Sequence, residues 1–171
     1  FLGFIKNRMK KKAIIISIKG YYLSFNEKKI LSKDKPWGLI LFSRNIRSFE
    51  QIKKLIKNIR KLTKDPNFPI LIDEEGVDVS RLGKIFNHSI SQKFIADIYS
   101  INKQLSLDFY REYINTLIYI LKKIGVNINT VPVLDVLRKK TNKIIGNRSF
   151  SDDPDIVKLL GKICVKQYEL N

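Results

Sequence analysis

Three acids in a row, Asp73-Glu74-Glu75, follow a short apolar run that begins at Pro69. Carboxylates at the end of a buried strand can accept hydrogen bonds from sugar hydroxyls, hold a divalent metal or carry out acid–base work. Arg81 stands eight residues beyond Asp73. If the intervening loop folds back, its guanidinium pairs with Asp73 and offers its other donors to a ligand oxygen. Arg148, in Ile144-Ile145-Gly146-Asn147-Arg148-Ser149-Phe150, is a third candidate. A guanidinium beside a glycine in a loop just past a strand suits a hydroxyl-rich or anionic ligand.

Other chemistries lack their residues. His88 is the only histidine and Cys164 the only cysteine. A disulfide within the chain is therefore excluded, and neither a Cys-based nor a His-rich metal site is expected. A lone histidine in a loop reads as a solvated polar residue, and a Ser-His-Asp triad would have to recruit it. Neither a phosphate-cradling glycine loop nor a Gly-x-Ser-x-Gly elbow occurs. No cofactor is expected. The single cysteine fits a reducing cytoplasm.

The elements that must position these residues alternate. Ala13–Ile18 is β-rich and bounded by Gly20, and reads as a strand; Gly38–Phe42 is a continuous apolar run, as suits a parallel strand buried on both faces. Ser48 with Gln51 has the spacing of a capping box, and Ile52, Leu55, Ile56, Ile59 and Leu62 follow on one helical face. Pro69–Asp73 is the next strand. A loop from Glu74 to Ile90 comes after it, long enough to suggest function. Residues 91–124 read as one or two helices, with Ile114, Leu117, Ile118 and Leu121 inward and Gly125 as the stop. Val126–Val133 is a further strand candidate reaching Asp135. Asp153-Pro154 opens the last helix, whose apolar stripe is Ile156, Leu159, Leu160 and Ile163. Such alternation predicts parallel β/α units, with ligands bound at the carboxyl ends of the strands.

Composition bounds the alternatives. Of 171 residues, 33 are Lys or Arg and 16 are Asp or Glu, a net charge of +17. The basic residues are dispersed, with Lys10-Lys11-Lys12 the densest run, and they lack the interleaved aromatics of a single-strand binder. A solvated lysine coat is the expectation, with no nucleic-acid partner. The apolar run after Met9 is too short for a signal peptide, and none approaches the roughly 20 residues of a membrane span. Met9 reads as a natural start, leaving residues 1–8 as upstream read-through or disorder and 9–171 as the domain.

Four blocks carry a resemblance. Lys35-Pro36-Trp37-Gly38-Leu39-Ile40-Leu41-Phe42-Ser43-Arg44-Asn45-Ile46 is similar to the second-strand segment of bacterial β-N-acetylhexosaminidases of glycoside hydrolase family 3. Ile72-Asp73-Glu74-Glu75-Gly76 through Arg81-Leu82 resembles that family's Asp-Gln-Glu-Gly-Gly-Arg-Val-x-Arg-Leu block. Val131-Pro132-Val133-Leu134-Asp135-Val136 and Ile145-Gly146-Asn147-Arg148-Ser149-Phe150 resemble its next strand and site loop. The blocks occur in the family's order and span nearly the whole chain.

The resemblance implies the N-terminal half, about four β/α units, of a (β/α)8 TIM barrel. It implies removal of terminal non-reducing β-N-acetylglucosamine from peptidoglycan fragments, with retention, by a cytoplasmic, monomeric full-length enzyme. Asp73, Arg81 and Arg148 would bind the sugar, and Asp135 would support them. No catalytic residue falls within the chain on this reading. The family's Lys-His-Phe-Pro-Gly-His-Gly block, with its catalytic histidine, and its nucleophile would come after residue 171. Val77 and Asp78 replace a family glycine and arginine. A β-branched residue does not cheaply take a positive φ, and Asp78 reverses a charge near the site. The alternatives are a metal-dependent barrel enzyme using Asp73, Glu74 and Glu75, or a basic polyanion-binding module.

Overall fold

A computed structural model describes residues 11–171. The readings of Met9 as a start and of residues 1–8 as read-through lie outside the described residues. Four parallel strands form one sheet in the order of the chain: β1 (Lys12–Ile16), β2 (Pro36–Leu41), β3 (Ile70–Ile72) and β4 (Ile128–Asn129). Helices fill the connections: α1 (Phe25–Lys29) with a π-turn, α2 (Phe49–Thr63), then α3 (Gln92–Ile101) and α4 (Lys103–Ile124). α5 (Pro154–Leu170) follows β4. The fold is α/β, with the sequential parallel order of half a (β/α) barrel. β1 and β4 stand at the two edges of the sheet.

The helix-covered face of the sheet presents Leu39, Leu41, Ile70 and Ile72, all fully buried. They pack on Ile52, Leu55, Ile56 and Ile59 of α2 and on Leu121 and Ile124 of α4. Each such side chain removed from water contributes about 1.5–3 kcal/mol. Ser48 caps α2 by accepting from Gln51 N. The reciprocal half of the capping box is displaced by one residue, because Gln51 Oε1 accepts from Arg47 N at 2.9 Å. Gly125 ends α4 at φ 96, which a side chain would adopt only with strain. Gly38 is needed for a different reason: a Cβ there would meet Pro69 Cβ, just before β3, at 3.0 Å.

Two sequence expectations need correction. The strand expected over Val126–Val133 pairs only at Ile128 and Asn129. Pro132 lacks an N–H for the ladder, and Val131 leaves the sheet to pack in a second core among α3, α4 and α5. Asp135 is consequently six residues past the strand end and solvent-exposed. The buried face of α5 is Val157, Leu160, Gly161 and Cys164, rotated from the expected stripe; Leu159 is 36% exposed. Leu134 folds back over Gly161, where a Cβ would lie 2.5 Å from its Cδ2. A small residue thus sets which face of α5 turns inward.

Candidate functional site

β3 delivers Asp73 to the carboxyl edge of the sheet. Its Oδ1 accepts from Thr130 Oγ1, just past β4, at 2.7 Å, and its Oδ2 accepts from Arg81 Nη2 at 3.1 Å. The loop therefore does fold back and bring Arg81 to Asp73. Phe42, at the end of β2, lies beneath two guanidiniums: Arg44 is 4.5 Å and Arg81 5.5 Å from its ring centroid. Arg81 is thus held by an ion pair and by a ring face. Its Nε is buried and without a hydrogen-bond partner among the described residues.

Arg148 is fixed by a two-point fork. Its Nε donates to Glu75 Oε2 at 2.7 Å and its Nη2 to Glu75 Oε1 at 2.9 Å. Glu75 raises the pKa of the guanidinium above its ordinary value, and Asp135 and Asp73 add to the effect electrostatically. Asp73, Asp135 and Arg148 therefore share one electrostatic neighbourhood. Asp135 contributes its main chain as well, since its carbonyl accepts from Ser149 Oγ at 2.5 Å, next to Arg148. Its carboxylate makes no hydrogen bond among the described residues.

The three consecutive acids diverge. Asp73 meets Arg81 and Glu75 meets Arg148, while Glu74 turns inward and is fully buried. Glu74 Oε2 accepts from Arg81 N at 2.7 Å and Leu82 N at 2.9 Å; Oε1 lies 3.2 Å from His88 Nε2. A metal shared by all three acids is not what this arrangement offers. Among the described residues, no group of three or more His, Cys, Asp or Glu side chains could hold one.

His88 is not the solvated loop residue expected. Its side chain is 6% exposed, packed against Phe86 and edge-on to Tyr113, with Glu74 as partner. Sequence spacing gave no sign of this contact, which spans 14 positions of an irregular loop. Thr130, Phe42 and the Glu75 fork were also missed as partners. The loop accommodates its departures at little strain. Val77 has no positive φ, its N–H donates to Ile90 O at 2.9 Å, and it is 46% exposed beside the exposed Asp78. Gly76 takes the unusual conformation instead, at φ 153.

Asn45, a further polar residue after β2, is fully buried and donates to Ile18 O and Gly20 O, both at 3.0 Å. It ties the ends of β1 and β2 together rather than facing a ligand. No helix among the described residues is long and apolar enough to cross a membrane.

Residues 11–169 match the family model described as the glycosyl hydrolase family 3 N terminal domain. A beta-hexosaminidase of Xylella fastidiosa is 29% identical over 153 residues, 90% of this chain and 45% of its own length. One from Xanthomonas campestris is 30% identical over 144 residues, 84% and 43% of the two chains. The chain thus spans about half the length of these curated relatives. The crystal structure of native NagZ from Neisseria gonorrhoeae superposes with a TM-score of 0.85 at 27% identity, covering 93% of this chain and 46% of that one. The same Neisseria protein has been solved in complex with N-trifluoroacetyl-D-glucosamine, with the same TM-score and coverage.

Proposed function

The chain belongs to the glycosyl hydrolase family 3 N-terminal domain family, and from that premise we propose that it forms the sugar-binding half of a β-N-acetylhexosaminidase site. The substrate class is a terminal, non-reducing β-N-acetylglucosamine on a peptidoglycan fragment, cleaved with retention in the cytoplasm by a monomeric full-length protein.

The observation that carries this reading is the pair of braced guanidiniums at the carboxyl edge of the sheet. Asp73 holds Arg81 and Glu75 holds Arg148. Each arginine keeps donors beyond its ion pair, and Asp73 keeps lone pairs that can accept from hydroxyls. A pyranose presents adjacent hydroxyls that both donate and accept, which matches a mixed carboxylate–guanidinium surface. Binding that tightens as charge develops on the ring accelerates cleavage, whereas uniform binding does not. Retention requires a nucleophile and an acid/base close together. On this reading both come from the part of the relatives' length that this chain does not span.

The test is proton NMR of the first-formed product when the full-length protein acts on an aryl β-N-acetylglucosaminide. The β-anomer of N-acetylglucosamine is expected before mutarotation. An initial α-anomer, or no hydrolysis, would overturn the proposal.

A further inference from the structure

The chemistry assigned to Arg81 depends on where its backbone is pinned, and the pin is Glu74. This carboxylate is 0% exposed. Burying a charge is costly unless several donors converge on it. Three do: Arg81 N, Leu82 N and His88 Nε2. Two of the three are consecutive main-chain amides of the loop that carries Arg81.

Glu74 is itself anchored from the sheet. Its N–H donates to Asn129 Oδ1, and Asn129 Nδ2 donates back to its carbonyl, both at 3.0 Å. Asn129 belongs to β4. The path from sheet to loop is therefore continuous: β4 fixes the Glu74 backbone, the Glu74 carboxylate fixes the Arg81 and Leu82 amides, and the Arg81 side chain meets Asp73. His88, wedged between Phe86 and Tyr113, closes the far side of the carboxylate. Leu82, fully buried, seats the same turn in the main core.

We propose that Glu74, backed by His88, is a positioning residue that sets the Arg81 guanidinium against Asp73 by clamping the Arg81–Leu82 backbone. The proposal rests on the sugar-binding reading of Arg81. Glu74 does not face the ligand; its neighbours in sequence, Asp73 and Glu75, do that work through their own arginines. A displacement of Arg81 by about 1 Å is enough to lower turnover about tenfold to a hundredfold.

The test uses the full-length protein with E74A, E74D, E74Q, R81A and the E74A/R81A double variant. It reads kcat/KM on an aryl β-N-acetylglucosaminide and hydrogen exchange of the Arg81 and Leu82 amides relative to β3. E74A and the shorter E74D are expected to lose about tenfold or more, while E74Q, which keeps the acceptor oxygen, recovers most of that loss. The double variant is expected to be no worse than R81A alone, because both changes remove one arrangement. The two amides should exchange faster in E74A and E74D while β3 stays protected. Multiplicative losses in the double variant, or unchanged exchange at Arg81 and Leu82, would overturn the proposal. If E74A does not fold, E74D and E74Q carry the comparison. A wild-type protein without hydrolytic activity would sink the glycosidase reading alone, and the exchange arm would still decide the role of Glu74.

Discussion

Glu75 grips Arg148 at two points across 73 residues of chain, with Nε–Oε2 at 2.7 Å and Nη2–Oε1 at 2.9 Å. The grip joins the loop after β3 to the loop after β4. It fixes the plane of the guanidinium as well as its position, which a single contact would not do.

Removing this grip has a definite consequence. E75A leaves Arg148 mobile in a site where Glu75 is only 9% exposed by side chain. A hydrogen bond to a charged group contributes about 1.5–3 kcal/mol. Thermal unfolding of the full-length protein should show a loss of that order, accompanied by reduced kcat/KM. Unchanged values for both would mean that the fork is incidental.

Gly76 determines the shape of the loop that carries Asp73 and Arg81. A Cβ there would approach Ile90 O to 2.7 Å at φ 153. G76A is expected to destabilise the fold by about 1–3 kcal/mol and to lower kcat/KM with it. Equal stability and activity would show that the loop has freedom to relax.

Burial pushes the Cys164 thiol up from its ordinary value of 9.0 to about 11. The folded state keeps a proton that the unfolded chain releases, so this contribution is intact below about pH 9 and is lost as pH rises to about 11. Tyr110, Tyr113 and Tyr168 are raised by burial as well and act in the same direction above their ordinary 10.0. Urea unfolding across pH 8–11 should show falling stability, and a thiol reagent at pH 8 should leave Cys164 of the native protein unlabelled. Rapid labelling of Cys164 in the folded protein would contradict the burial.

Residues 1–171 alone should hydrolyse no aryl β-N-acetylglucosaminide and should self-associate. Edge strand β1 exposes Ile14 at 48% and Ile15 at 47%, and β4 at the other edge pairs at only two residues. Exposed apolar edges are templates for pairing. Light scattering and thermal unfolding of the purified chain provide the check. A monodisperse monomer with one sharp melt would count against this reading, as would turnover above a buffer blank.

Helices with written ends were legible in the sequence. Ser48, Gly125 and Asp153-Pro154 mark boundaries that the structure reproduces within a residue. Asp73 meeting Arg81 was legible only as a possibility, conditional on the loop folding back, and the structure shows that it does. β4 was less so. Apolar residues spaced along a segment, Val126, Ile128, Val131 and Val133, read alike whether they line a sheet or, like Val131, pack among helices. The α5 face was misread because Cys164 counts weakly as apolar and because Gly161 makes room for Leu134. The opposite fates of Glu74 and Glu75 could not be read at all. Adjacent, identical residues diverge only because Leu82 and His88 come from far along the loop to meet one of them.

The most direct test of the central claim, that the two braced arginines bind the sugar, is kcat/KM for an aryl β-N-acetylglucosaminide with full-length wild type, R81A and R148A. Loss of a charged hydrogen bond in the transition state should remove about 1.5–3 kcal/mol in each variant, a drop of at least about tenfold. Values equal to wild type in both variants would place Arg81 and Arg148 outside the site and contradict it.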